Sequence, residues 1–108
     1  MVKKIYSLIW SVDAAWRLNN IYNWYVEYES VNRAKKVIAS IRALARKIPL
    51  NPYKHIQCFE VKYPSPFIRK ALVSNTYWIV FEIEENRIVI LDMIHGAMDP
   101  EEYKALLF

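Results

Sequence analysis

Residues 68–95 read IRKALVSNTYWIVFEIEENRIVILDMIH, and this stretch decides the fold. Three runs rich in β-branched and aromatic residues, Ile68 to Ser74, Tyr77 to Glu84 and Arg87 to His95, are separated by Asn75-Thr76 and by Glu85-Asn86. Short polar breaks of this kind between such runs predict hairpins, so the stretch is an antiparallel three-strand meander. With two residues in each turn, counting places Arg69 opposite Glu82, Ala71 opposite Val80, Val73 opposite Trp78 and Val80 opposite Leu91. Strand alternation then predicts two faces. Leu72, Ile79, Phe81, Ile83, Ile88, Ile90 and Ile94 form an apolar face fit to lie under helices. Arg69, Trp78, Val80, Glu82, Val89, Leu91, Met93 and His95 form a mixed one.

On the N-terminal side, Val2 to Val12 reads as a strand, and Asp13 offers an N-cap carboxylate where helical periodicity begins. Ala14, Leu18, Ile21, Tyr25 and Tyr28 recur at spacings of three and four, one stripe of an amphipathic helix. Trp16 and Trp24 fall off that stripe and are expected to be partly exposed. Ser30 caps a second helix whose stripe is Val31, Ala34, Ile38, Ile41, Ala45 and Ile48, widened by Val37 and Leu44 and stopped by Pro49 and Pro52. The short link between the helices predicts an αα-hairpin with one shared apolar face, which the sheet would cover. Pro49 to Pro66 has no clear period and reads as an irregular connection with a short extended piece at Gln57 to Lys62. Beyond the meander, Asp99 and Pro100 look like the cap and first position of a short C-terminal helix from Glu101 to about Leu107. The fold class is α+β: a strand, an αα-hairpin, then a three-strand antiparallel meander with the helices on one face of the sheet.

Composition narrows the function classes. The 108 residues suit a single domain, 1–108, and 55% hydrophobic residues supply a core. One glycine argues against a phosphate-cradling loop. One cysteine, Cys58, excludes an internal disulfide, and the absence of a long apolar run predicts neither a signal peptide nor a membrane span, so the cytoplasm is the expected compartment. Two histidines, one cysteine and scattered carboxylates lack metal-site spacing, so no metal or cofactor is expected. The net charge of +4 is regional. No acid lies between Glu29 and Glu60, where Arg33, Lys35, Lys36, Arg42, Arg46, Lys47 and Lys54 all fall. An anionic partner, nucleic acid or an acidic polypeptide, is implied.

Several stretches in this order match a known family. Asp13-Ala14-Ala15 with Leu18, Ile21 and Trp24-Tyr25 looks like the opening of its first helix, and Ala34, Ile38, Ile41 and Leu44 before Pro49 look like the close of its second. Arg69-Lys70-Ala71, Tyr77 to Ile83 and Ile88 to Gly96 look like its sheet. Over its whole length the chain resembles the RelE/ParE toxin superfamily. That resemblance implies a growth-inhibiting toxin of a bacterial type II system, assembled with and silenced by a cognate antitoxin. It leaves three modes open: metal-independent, ribosome-dependent cleavage of messenger RNA, non-catalytic inhibition of DNA gyrase, or a relative that only binds antitoxin.

Cleavage by 2′-hydroxyl attack needs a base, an acid and cations at the phosphate. The resemblance nominates Arg69, His95 and Tyr103 as catalytic; Lys54 and His55, from the irregular connection, are candidates to substitute for a missing cation and join Arg69 as the target- or RNA-contacting set. The basic surface of Arg33, Lys36, Arg42, Arg46 and Lys47 is nominated for the antitoxin. Each has a plainer role: Arg69 as an ion-pair partner of Glu82, His95 as a hydrogen-bonding strand end, Tyr103 as packing, the basic helix as a solvated face. Many relatives carry an arginine just beyond the His-Gly pair, where this chain has Ala97 and Met98. Losing one phosphate-stabilising guanidinium weakens the case for a nuclease.

Overall fold

The computed structural model describes residues 4–96. In chain order they form β1 (Ser7–Trp10), α1 (Val12–Tyr28), α2 (Val31–Lys47), two 3-10 turns (Ile48–Leu50 and Pro52–Lys54), β2 (Ile56–Gln57), β3 (Ile68–Val73), β4 (Tyr77–Ile83) and β5 (Arg87–His95). The described strands make one five-stranded sheet in the order β1-β5-β4-β3-β2, with β1 parallel to β5 and the other pairs antiparallel. Tyr103 and the C-terminal helix expected from Glu101 lie outside the described residues.

The α1 cap is Ser11 rather than Asp13; the Ser11 hydroxyl accepts from the Ala14 N–H at 3.0 Å. The same hydroxyl donates to the Leu91 carbonyl at 3.0 Å, which ties the helix start to β5. Asp13 instead sits in the first turn, where its charge favours the positive helix end. Ser30 caps α2 as expected, accepting from the Arg33 N–H at 3.0 Å. The buried stripes are Ala14, Leu18, Ile21 and Tyr25 on α1 and Ala34, Ile41 and Ala45 on α2, while Tyr28 and Val31 at the stripe ends are exposed. These side chains pack on Ala71, Val73, Ile79, Phe81, Ile83, Ile88, Ile90 and Met93 to make the main core.

Register departs from simple counting in two places. The β3–β4 loop has three residues, Ser74 to Thr76, closed by the Thr76 N–H to the Val73 carbonyl at 2.9 Å, with Ser74 and Asn75 at φ of 49° and 56°. Positive φ at both central positions is a primed turn, which suits the twist of a hairpin. Arg69 therefore faces Phe81, Ala71 faces Ile79 and Val73 faces Tyr77, one residue away from the expected pairing. The slip exchanges the faces of β3, so Arg69, Ala71 and Val73 lie on the helix side and Leu72 is exposed on the other. The Glu85-Asn86 turn does have two residues, and pairing runs as expected from Ile83–Ile88 to Phe81–Ile90. An irregularity then sets Val80 opposite Asp92, not Leu91. One extra residue in a strand reverses the parity of every residue beyond it. Met93 and His95 turn to the helix side, and Ile94 to the far side.

The far face is roofed in part. Cys58 and Val61, from the proline-rich connection, close over Ile68, Val80 and Ile94 in a second small core beside Trp78 and Leu91. A face carrying that much apolar surface needs a cover, and β2 is the short strand that swings the connection across it.

Candidate functional site

Arg69 leaves β3 on the helix side and reaches back to the two 3-10 turns. Its Nε donates to the Pro66 carbonyl at 2.9 Å, and its Nη1 to the carbonyls of His55 at 2.8 Å and Tyr53 at 3.3 Å. The guanidinium also lies 5.2 Å from the Tyr53 ring centroid. A planar fork suits several acceptors fixed in one plane. Arg69 thus clamps a connection that has little regular hydrogen bonding of its own, and it makes no ion pair with Glu82, which sits opposite Ile68. Lys54 and His55 stand at the same corner, with the His55 ring edge-on to Phe81 at 5.6 Å. Burial, then the charges of Lys54 and Arg69, pull the His55 imidazole below its ordinary range.

His95 stands elsewhere. It opposes Tyr77, and the two rings meet edge to face at 5.4 Å. Arg69 opposes Phe81 on the other flank of β4, so the two backbones are separated by roughly 13 Å along the strands and roughly 10 Å across them. The three sequence-nominated residues Lys54, His55 and Arg69 come together, whereas Arg69 and His95 do not converge on one reacting phosphate.

His95 instead borders a cavity of about 490 Å³ between α1 and the end of β5, lined also by Asn20, Ile21, Trp24, Tyr77 and Met93. At its floor Arg17 Nε donates to Asp92 Oδ1 at 3.1 Å, and the same carboxylate oxygen accepts the Met93 N–H at 2.8 Å. Asp92 is 6% exposed. A buried carboxylate of this kind requires such partners. Sequence reading did not single out this pair, although a lone acid inside the run Ile88 to Ile94 was the available signal. Trp24, expected off the stripe, is exposed on the cavity wall, and Trp16 is exposed nearer the helix start.

On α2 the nominated cations Arg33, Lys36, Arg42, Arg46 and Lys47 are all exposed. Arg33 pairs with Glu29 at 3.7 Å. Arg42 and Arg46 border a groove whose remaining walls are Trp10, Ala15 and Leu18. On the far face Lys70 pairs with Glu60 at 2.8 Å and lies 4.5 Å over the Trp78 ring. Burial pushes the Cys58 thiol up to about 11, so it holds its proton at neutral pH and is a poor nucleophile. Among the described residues no group of three or more His, Cys, Asp or Glu could hold a metal, and no helix is long and apolar enough to cross a membrane.

Comparison with known proteins completes the assignment. The structure is similar to one from the "Chromosomal ParDE TA system from P. aeruginosa", with a TM-score of 0.70 and 21% identity, covering 84% of this chain and 96% of that one. At that identity the likeness is one of fold. No curated protein matches the chain. A family model described as the ParE toxin of the type II toxin-antitoxin system, parDE, matches residues 8–100. That match runs from β1 to beyond the end of β5, and the chain therefore belongs to the ParE toxin family of type II toxin-antitoxin systems.

Proposed function

We propose that the chain stops growth in the cytoplasm by binding and blocking a protein target, DNA gyrase, and not by cutting messenger RNA, and that a cognate antitoxin silences it. The observation that carries this reading is the use made of Arg69. The arginine nominated for transition-state charge spends its Nε and Nη1 on three backbone carbonyls, far from His95. General acid–base cleavage needs its groups within hydrogen-bond reach of one phosphate. Ala97 and Met98, in place of a further arginine, point the same way. A toxin acting by occupancy needs no cofactor, no metal and no convergent acid and base.

Antitoxin engagement is assigned to the α2 side. Arg42 and Arg46 beside Trp10 and Leu18 offer charge next to apolar surface, which suits an acidic, amphipathic segment. The test is expression of the chain without antitoxin in bacteria. Growth should stop, with ribosome-bound messages intact and chromosomal DNA supercoiling disturbed. Arrest accompanied by ribosome-dependent message cleavage would replace this reading with the nuclease one.

A further inference from the structure

The proline-rich connection turns its rings outward. Tyr53 is 49% exposed, Phe59 64%, Tyr63 71% and Phe67 50%, although rings of this size are ordinarily buried for their apolar area. Cations stand beside two of them: Arg69 at 5.2 Å from the Tyr53 centroid and Lys62 Nζ at 5.7 Å from that of Tyr63. Lys54 adds a third charge, one residue on from Tyr53, whose carbonyl Arg69 holds. Among the described residues Lys54, Lys62 and Arg69 have no acidic partner, and Glu60, the acid of this segment, is held by Lys70 at 2.8 Å.

We infer that this connection binds single-stranded nucleic acid, with bases stacked on Tyr53, Phe59, Tyr63 or Phe67 and phosphates held by Lys54 and Lys62, while Arg69 stays on the backbone carbonyls it clamps. A single strand is the ligand in which a flat apolar face and a negative charge repeat together, matching rings set beside cations. An acidic protein surface would favour a continuous apolar centre inside a polar rim; here the rings are spread along an irregular chain. Duplex bases are already stacked on one another and offer no free face to a ring. Prolines 49, 52, 64 and 66 stiffen the connection, and the Arg69 clamp anchors it, so little ordering cost remains on binding. This inference stands independently of the gyrase reading.

The test is fluorescence anisotropy of the full-length chain with a labelled oligothymidylate of about twelve nucleotides, across a salt series. Tyr63→Ala and Phe59→Ala should each weaken binding about tenfold, as loss of one stacking ring does. The double variant Lys54→Ala with Lys62→Ala should reduce the salt slope by about 1.4, two phosphate contacts on a single strand. A duplex of equal length should bind more weakly. All four side chains are exposed, so circular dichroism should show an unchanged fold. Affinity unchanged by both ring variants, a duplex bound as tightly, or a polyglutamate bound with the same sensitivity to Tyr63→Ala would each overturn the inference.

Discussion

Replacing Arg69 by alanine removes three donated hydrogen bonds at once, and their settings differ. The bonds to Pro66 and Tyr53 are solvent-exposed, so water takes over those carbonyls at little cost. The bond to the His55 carbonyl, 2.8 Å and partly buried, is the one that water replaces poorly. A hydrogen bond from a charged donor contributes about 1.5–3 kcal/mol in such a place. Adding the stack on Tyr53, the expected loss is about 2–3 kcal/mol, or roughly 8–15 °C in Tm for a domain of this size. Urea unfolding monitored by tryptophan fluorescence measures it directly. Arg69→Lys should recover less than half, because an ammonium cannot hold several in-plane acceptors at once. If Arg69→Ala unfolds at the wild-type urea concentration and yet abolishes growth arrest, Arg69 acts on a target and the clamp argument is wrong.

The same geometry sets three other outcomes. Arg17→Ala strands the Asp92 carboxylate, which is 6% exposed, but water reaches the Arg17 side chain, 31% exposed, and the Met93 N–H remains bonded. The loss in urea unfolding should therefore be about 2–3 kcal/mol, below that of a fully buried broken pair, and Asp92→Asn in the same background should recover part of it. The His55 imidazole is lowered from 6.5 in the folded chain, so the unfolded chain protonates first on acidification. Its contribution to stability is present above about pH 6.5 and lost as the pH falls below it. An NMR titration of the His55 ring should give a midpoint below 6.5, and a midpoint at or above that value would refute the assignment. Arg42→Glu with Arg46→Glu should weaken antitoxin binding about tenfold or more, with a reduced salt dependence. Unchanged affinity by calorimetry would move the antitoxin off this groove.

Much of the architecture was legible because it rests on periodicity. The stripes Ala14–Leu18–Ile21–Tyr25 and Ala34–Ile41–Ala45, the Ser30 cap and the Glu85-Asn86 turn are local signals, and they appear where the residues imply. Register was less legible because it depends on a running count. Ser74 carries a positive φ that its residue type does not advertise, and one more loop residue moved Arg69 from the mixed face to the helix side. The irregularity at Leu91 and Asp92 likewise exchanged Met93 and Ile94 between faces. The far-face cover by Cys58 and Val61 is a long-range packing event, which no local period in Pro49 to Pro66 encodes. Among the nominated site residues, the grouping of Lys54, His55 and Arg69 was readable as charge near a breaker-rich segment. The separation of Arg69 from His95 was not, because it depends on the same register.

The claim that this ParE-family chain acts by occupying a protein target is tested most directly by a supercoiling assay, in which purified DNA gyrase, relaxed plasmid and ATP receive increasing amounts of the chain. Supercoiling should fall with toxin concentration and recover when antitoxin is added, while messages on translating ribosomes exposed to the same toxin stay whole. Supercoiling that continues unaffected, with those messages cut, would contradict the account.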